Sequence, residues 1–482
     1  KGIVAGVGAA ALAAAAPAIE ATTYEPRLAM SRSSLERRAG RSLPYILLAG
    51  VLTMVTATAL LVFSGRDLVA GLAAVFLLIF GFALCVPIAV RWASSALTPI
   101  AQAAGGTPAR IAVAGIADGL SRTAVAIVAL AIAVSATIGV SVMVDSFRGS
   151  VETWLEQTLQ ADIYTGVVRG EIQADLIDDL RGIEGVVDVS TSRRIWIEDG
   201  AQRTQLLAIG MAPGGYAGTE LLDGNPDDVW DAWEYGDVVL VSEPYAYQNR
   251  IAPGDTVVLP TDTGQREFRV GARYQSYDVN ASAVMISRNN YDRYFNDEGI
   301  DTLGLYLADG TDVDDVIATV RAVSDGRQQL RVDSNARIRD LSLEIFDRTF
   351  VITDVLCWLA IGVALIGILG AMLALQLERA REFALLRALG MTPGQVGGMI
   401  TAQTGVIGLL SGAAAIPLGL IMAWVLIKVI NRRAFGWQID MVVAPGMLIS
   451  ALVFAVGAAL LAGLYPAWRA AHSRPAVAMR EE

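Results

Sequence analysis

Enzyme chemistry at neutral pH needs an activated nucleophile, a tuned acid–base group or a metal cage, and this sequence is sparing with all three. His472 is its only histidine, which excludes a two-histidine metal site or a His-Glu-x-x-His pair within these residues. Lys1 and Lys428 are its only lysines, and neither stands in a Gly-x-x-x-x-Gly-Lys-Ser/Thr loop. That loop uses its lysine to neutralise phosphate charge, so the chain is not its own phosphate-loop ATPase. No Gly-x-Ser-x-Gly elbow occurs. Asp309, Asp312, Asp314 and Asp315 crowd one stretch but lack calcium-loop spacing and its turn glycine. They read as the capped, acidic start of a helix. Cys85 and Cys357 fall in apolar runs and read as small buried apolar residues. The expectation is a chain without catalytic, metal-binding or cofactor-binding residues.

One segment has spacing suited to mechanical work. Glu378-Arg-Ala-Arg-Glu-Phe-Ala-Leu-Leu-Arg-Ala-Leu-Gly390 leads directly into Met391-Thr-Pro393. Phe383, Leu386 and Leu389 recur on one face of a short helix, with Glu378, Arg379, Arg381, Glu382 and Arg387 as the polar remainder. Gly390 suits the helix stop, and Thr392 with Pro393 suit the cap and first turn of the next helix. An ordinary basic loop is the simpler reading; the periodicity and clean punctuation favour a docking knuckle between two spans.

The surrounding sequence is membrane protein. Its hydrophobic fraction is 54% and its mean hydropathy +0.49. Runs at 68–90, 123–144, 355–377 and 397–427 carry no charge. Spanning a bilayer takes roughly 20 apolar residues. With 3–19, 43–63 and 442–465, about seven spans are expected. Their interiors are almost free of ionisable groups, unlike those of proton- or ion-coupled carriers; Asp354 lies near a span end and Gln403 is merely polar. The net charge of −11 is uneven, since residues 145–348 alone carry −19. Such an acidic domain excludes nucleic acid as a partner. Placing 20–42, 91–122, 378–392 and the tail from 466 in the cytoplasm puts most basic loop residues inside. The cluster Lys428, Arg432 and Arg433 then falls outside, against the trend.

The expected fold class is therefore a membrane α-helical bundle of about seven spans plus one large extracytoplasmic α+β domain. The domains read as a span at 1–19, a cytoplasmic linker at 20–42, and a two-span hairpin at 43–90. An amphipathic segment at 91–122 then precedes a span at 123–145. The outer domain occupies 146–349, and 350–377 is the next span. The cytoplasmic helix at 378–392 follows, then a span at 393–429, an outer loop at 430–441, a span at 442–465 and a tail at 466–482. Within the outer domain, strand–helix–strand patterns at 162–190 and 302–332 flank a stretch of short strands and turns. Residues 223–237 read as an acidic, aromatic loop, either one that holds a partner or a solvated one with Trp230 and Trp233 turned inward.

At this point the segment Glu378 to Val396 resembles the coupling helix of the FtsX/MacB-like permeases, the type VII ABC transporters. The stretch from Tyr465 to Arg480 resembles that family's closing signature. The order of one span, a large outer domain and three spans is also similar, so the resemblance covers 109–480. It implies two α/β porter-like halves, at about 160–194 and 300–335, with a β-rich insert at about 195–299. It also implies a cytoplasmic ABC ATPase dimer that carries ATP and Mg and meets Glu382, Leu385, Arg387, Ala388, Leu389 and Gly390. ATP hydrolysis would then move the outer domain, an action called mechanotransmission. Gln403 departs from the family, in which many relatives have an acid there. Implied cargo is hydrophobic or amphipathic: lipid, lipoprotein or a membrane-active compound, handled in a bacterial inner membrane with the C-terminus cytoplasmic. The alternative is a signal transmitter whose outer domain activates an envelope enzyme and moves nothing.

The two ends of the chain repeat one another. Residues 7–30 and 456–479 match at 12 of 24 positions, including Pro17 with Pro466 and Pro26 with Pro475. A repeat fixes architecture before any local feature does. With the 43–90 hairpin, it resembles the subgroup that carries two permease units in one polypeptide. The expectation is a missing N-terminal permease half with its own outer domain and coupling helix.

Overall fold

The computed structural model describes residue 11 and residues 32–167, 170–199, 202–277 and 283–472. The expected span at 1–19, most of the 20–42 linker and the last ten residues lie outside that description. Six described helices are long and apolar enough to cross a bilayer. These segments are Leu43–Phe63, Leu68–Ala103, Thr123–Thr158, Asn335–Leu375, Pro393–Phe435 and Pro445–Arg469. The membrane part is thus helical, as expected.

Helix α1 (Arg32–Phe63) and α2 (Leu68–Asp118) form the hairpin. Gly65 turns the chain at φ 58°, and the Asp67 carboxylate accepts from the Val69 and Ala70 amides. The two helices close on glycines: a methyl on Gly50 would lie 2.8 Å from the Gly81 carbonyl oxygen. Without a hydrophobic force between helices in lipid, such close approach supplies the contact energy. Helix α2 runs on beyond the membrane and bends at Gly106, so the segment expected at 91–122 is mostly the end of this helix, which continues for about three turns past the bend. Ala112, Val113 and Ile116 on that stretch are buried against protein.

Helix α3 (Leu120–Thr158) leads into the outer domain. That domain is a single nine-stranded sheet, ordered β5-β6-β4-β7-β3-β2-β8-β1-β9. Strand β1 (Ile163–Val167), α4 (Ala174–Arg181) and β2 (Val186–Asp199) form the first unit. Strand β8 (Thr302–Leu307), α8 (Val313–Ser324) and β9 (Leu330–Ser334) form the second. The units interleave, because β8 lies between β2 and β1 and all three pairings are antiparallel. This is the split βαβ arrangement, so the two expected halves share one core of Ile163, Leu176, Leu180, Leu303 and Val320. Asp312 caps α8, accepting from the Asp314 and Asp315 amides, which agrees with the capping reading of that acidic run.

The insert extends this sheet instead of standing apart. It holds β3 (Gln202–Gly210), β4 (Val238–Ser242), β5 (Thr256–Thr261), β6 (Gly264–Tyr274) and β7 (Ala283–Ser287). Strand β3 pairs with both β2 and β7, which carries the ladder across. The expected loop at 223–237 is instead a helix, α5 (Pro226–Tyr235). Pro226 suits its first turn, Trp233 is fully buried, and the Trp233 indole donates to the Met285 carbonyl. Two short helices, α6 (Glu243–Asn249) and α7 (Arg288–Tyr294), follow β4 and β7, capped by Ser242 and Ser287.

Helix α9 (Asn335–Ala388) leaves the sheet and does not stop at the far membrane edge. The span expected at 350–377 and the separate helix expected at 378–392 are one element. No glycine or proline interrupts residues 371–388, and Glu, Arg, Ala and Leu are all strong helix formers. Helix α10 (Pro393–Trp424) passes into a π-helical turn (Val425–Asn431) and α11 (Arg432–Phe435). Helix α12 (Pro445–His472) continues through Pro466, where the span was expected to end. Gly408 and Gly412 on α10 sit against Ala455 and Ala459 of α12, and Gly419 against Ile138 of α3.

Candidate functional site

The sequence-selected residues sit at the end of α9 farthest from the sheet. Glu382, Leu385, Ala388, Leu389 and Gly390 are exposed, and Arg387 is half-buried. Leu389 is 84% exposed and Leu385 52%, an unusual presentation for leucines beyond a membrane span. The structure therefore brings Leu385 and Leu389 onto one outward face, one turn apart. The side chains of Phe383 and Leu386 lie outside the described ones.

Local geometry holds this end rigid. Leu389 caps α9, its amide bonding the Leu385 carbonyl at 2.9 Å. Gly390 takes φ 106°, a conformation that side chains resist and glycine accepts. Thr392 and Gln395 then form a reciprocal capping box: the Gln395 amide donates to Thr392 Oγ1 at 3.3 Å, and the Thr392 amide to Gln395 Oε1 at 2.9 Å. Met391 packs into a small core of Ala112, Val396, Met399, Ile400 and Ala467. That core ties the knuckle to the end of α2 and to α12. These partners are far apart in sequence, and the sequence carries no signal for them.

The other end of α9 enters the sheet directly. Ser334, the last residue of β9, caps it by accepting from the Arg337 amide at 3.3 Å. At 1.5 Å per residue, its 54 residues span roughly 80 Å. Helix α3 runs beside it. Arg148 donates to Asp347 at 2.8 Å, and the Phe147 ring meets that of Phe346 at 5.1 Å. Asn335 bonds back to the Leu159 carbonyl through its side chain and to the Asp162 carbonyl through its amide.

A third group of residues, missed in the sequence, joins the domain to the membrane loop 436–440. Tyr277 packs edge-on against Trp154 and Trp437, and its hydroxyl donates to the Gln438 carbonyl at 2.8 Å. Burial pushes the Tyr277 hydroxyl up to about 12, so it stays a proton donor. Buried Glu243 accepts from the Gln438 amide at 3.0 Å. Two residues of the outlying basic cluster are structural here. Lys428 donates to the Ile439 carbonyl, and Arg433 to Ser64 Oγ and to the Leu61 and Asp67 carbonyls. Scattered single aromatics and arginines leave no periodic trace, which is why this seam was not legible.

An apolar bundle, a sheet domain on two continuous helices and an exposed helical knuckle at the opposite end define a multi-pass membrane protein that links two compartments. Comparison with known proteins agrees. Residues 355–475 match the FtsX-like permease C-terminal model, and residues 123–323 match the MacB-like periplasmic core domain. The whole chain is 34% identical to an uncharacterized ABC transporter permease protein of Mycobacterium tuberculosis, and spans 58% of that relative's length. The lipoprotein-releasing system transmembrane protein LolC of Xylella fastidiosa is 21% identical over 56% of this chain and 66% of its own. Among solved structures, the periplasmic region of MacB from Actinobacillus actinomycetemcomitans aligns over 39% of this chain and 94% of its own, at 13% identity and a TM-score of 0.29. The chain thus carries a MacB-like periplasmic core domain and an FtsX-like permease C-terminal domain, in the order of an ABC transporter permease to which it is similar along its whole length.

Proposed function

We propose that this chain is the membrane part of an ATP-driven complex that works by mechanotransmission on a hydrophobic or amphipathic cargo such as lipid or lipoprotein. A cytoplasmic ABC ATPase dimer, carrying ATP and Mg, docks on Leu385 and Leu389, with Glu382, Arg387, Ala388 and Gly390 around them. One observation carries the reading: α9 runs without a break from that face into β9 of the outer domain. A helix without a hinge passes displacement along its axis, so movement at the knuckle reaches the sheet. The LolC relative, named for lipoprotein release, supports the cargo class. The end-to-end repeat supports a second permease unit as partner, which would give the ATPase dimer two docking points.

The test is reconstitution with the cognate ATPase in vesicles that carry a fluorescent lipoprotein in the leaflet facing the outer domain. ATP, and not ADP, should release the probe to an acceptor. ATP turnover stimulated by the permease without release, together with capture of an envelope hydrolase by the same complex, would replace transport with the signalling reading.

A further inference from the structure

Four guanidinium groups converge on one cavity at the membrane-facing end of the outer domain. Arg66 comes from the α1–α2 turn, Arg432 from α11, and Arg250 and Arg273 from the outer domain. The cavity holds about 300 Å³, at the lower end of small-ligand sites. Its one acidic lining residue, Glu243, is 4% exposed, with an oxygen taken by the Gln438 amide. Arg273 is held by Asp223 through two bonds of 2.7 and 2.8 Å. Among the described residues Arg66, Arg250 and Arg432 form no ion pair. The cavity is thus a positive spot at the edge of a domain whose net charge is −19 over residues 145–348.

The arrangement is built, not incidental. The Tyr247 ring lies 4.0 Å from the Arg66 guanidinium and 5.5 Å from that of Arg432, and Arg66 also donates to the Tyr247 carbonyl. Arg433 holds the hairpin turn that carries Arg66 through its bonds to Leu61, Ser64 and Asp67. Arg250 caps α6 at φ 58°, the one non-glycine residue with positive φ among the described residues. Glycine would sit there with less strain, and strain of this kind clusters where a side chain is used. The depth is that of a membrane–water boundary. Phe63 and Phe435, each three residues from one of the arginines, are exposed apolar rings at span ends.

We infer that this cavity binds a phosphate-bearing anion: the head group of an anionic phospholipid in the outer leaflet, or free phosphate. Guanidinium forks match phosphate oxygens in pairs, and basic pockets beside membrane helices hold phosphate head groups. The inference is independent of the ATPase reading, because it concerns the opposite end of the bundle. The bound head group would bridge the hairpin, the outer loop and the outer domain.

The test uses the full chain in nanodiscs of phosphatidylglycerol and phosphatidylcholine, with retained lipid read by native mass spectrometry. A parallel arm reads thermal stabilisation by inorganic phosphate in detergent. Wild type should retain phosphatidylglycerol selectively, and R250G/R432Q should lose at least about tenfold of that retention. R250G relieves backbone strain, and an unchanged melting temperature of the double variant without ligand separates lost binding from a folding failure. R203Q, which removes an exposed arginine elsewhere in the outer domain, should retain lipid as wild type does. Stabilisation by phosphate in wild type but not in the double variant, without lipid selectivity, would identify free phosphate as the ligand. Equal retention by wild type and R250G/R432Q, or neither lipid selectivity nor a phosphate effect in wild type, would overturn the site.

Discussion

Truncating the two exposed leucines of the knuckle should weaken ATPase docking about a hundredfold. Leu→Ala removes three methyl-sized groups, each worth about 0.8 kcal/mol when buried. Leu389 is 84% exposed and Leu385 52%, so a partner can bury that share of each. Scaling gives about 2 kcal/mol for Leu389 and about 1.2 kcal/mol for Leu385. Their sum of about 3 kcal/mol corresponds to a factor of roughly 150 in Kd, an upper figure because a real contact leaves some area wet. Alanine preserves the helix, and neither side chain supports the internal core, so the membrane part should fold unchanged. The assay is titration of the cognate ATPase subunit onto L385A/L389A permease in nanodiscs, with stimulated ATP turnover read in parallel. V187A, which truncates a valine 63% exposed on the outer domain, is the control. A Kd within threefold of wild type would refute the argument that these leucines form the docking face.

Other outcomes follow from the same geometry. Gly390→Val forces a β-branched residue to φ 106°, should cost about 1–2 kcal/mol locally, and should lower ATPase stimulation without changing the folding of the sheet domain, checked by circular dichroism. Thr392→Ala removes half of the capping box, about 1 kcal/mol, and should speed hydrogen exchange at the Gln395 amide while leaving α12 unchanged. Gly419→Val would push a side chain against Ile138 and the Ser135 carbonyl, so the melting temperature in detergent should fall by several degrees, an overpacking cost of about 1–3 kcal/mol. In the outer domain, the hydrogen bond from Arg273 holds Asp223 below the ordinary carboxylate range. Burial pushes Asp297 up, but the Tyr291 hydroxyl, the Gly299 amide and Arg193 together bring it below that range. A depressed carboxylate stabilises the fold above its unfolded pKa of about 3.9, and that stability is lost as pH falls through the folded value. Near-ultraviolet circular dichroism should therefore begin to change below about pH 4, and less steeply in D223N/D297N.

Local sequence rules reached the elements whose pattern is local. Strand β8 and helix α8 were legible because alternation, a capping aspartate and helical spacing all occur within a few residues. Helices α6 and α7 were not, since seven residues are too few for periodicity to speak. Residues 223–237 were misread because acids and turn residues outweighed Val229 and Trp233, which are spaced four apart on one helical face. The break expected at Glu378 confused polarity with helix propensity: charge marks the membrane edge, but a helix crosses that edge unhindered. The unity of the sheet was hidden for another reason. It depends on β3 pairing in parallel with β7, from Gln205 to Ala283, across the intervening strands. The knuckle itself was legible as a segment, while its anchoring by Ala112 and Ala467 was not, because only the fold brings them together.

The distribution of contacts decides which elements move together. Helices α3 and α9 feed β1 and β9, and those strands pair with each other from Ile163–Ser334 to Val167–Leu330. Sliding one helix along the other would break that ladder together with the Arg148–Asp347 and Arg339–Glu156 pairs and the aromatic contacts of Phe147. A run of backbone hydrogen bonds yields cooperatively or not at all, so the two helices and the sheet form one lever. Within the membrane this lever is packed closely into the bundle, with Gly419 of α10 seated on Ile138 of α3 and both helices in one buried core. At the outer face the sheet domain meets the membrane loops differently, through contacts such as Tyr277 and Glu243 on Gln438, and Arg66 on Tyr247. Those are single side-chain contacts, each worth on the order of 1 kcal/mol, and each can break independently of the others. The rigid path thus runs lengthwise from the knuckle to the sheet, while contacts that yield singly join the sheet domain to the outer membrane loops, a division of stiffness that suits the proposed mechanotransmission.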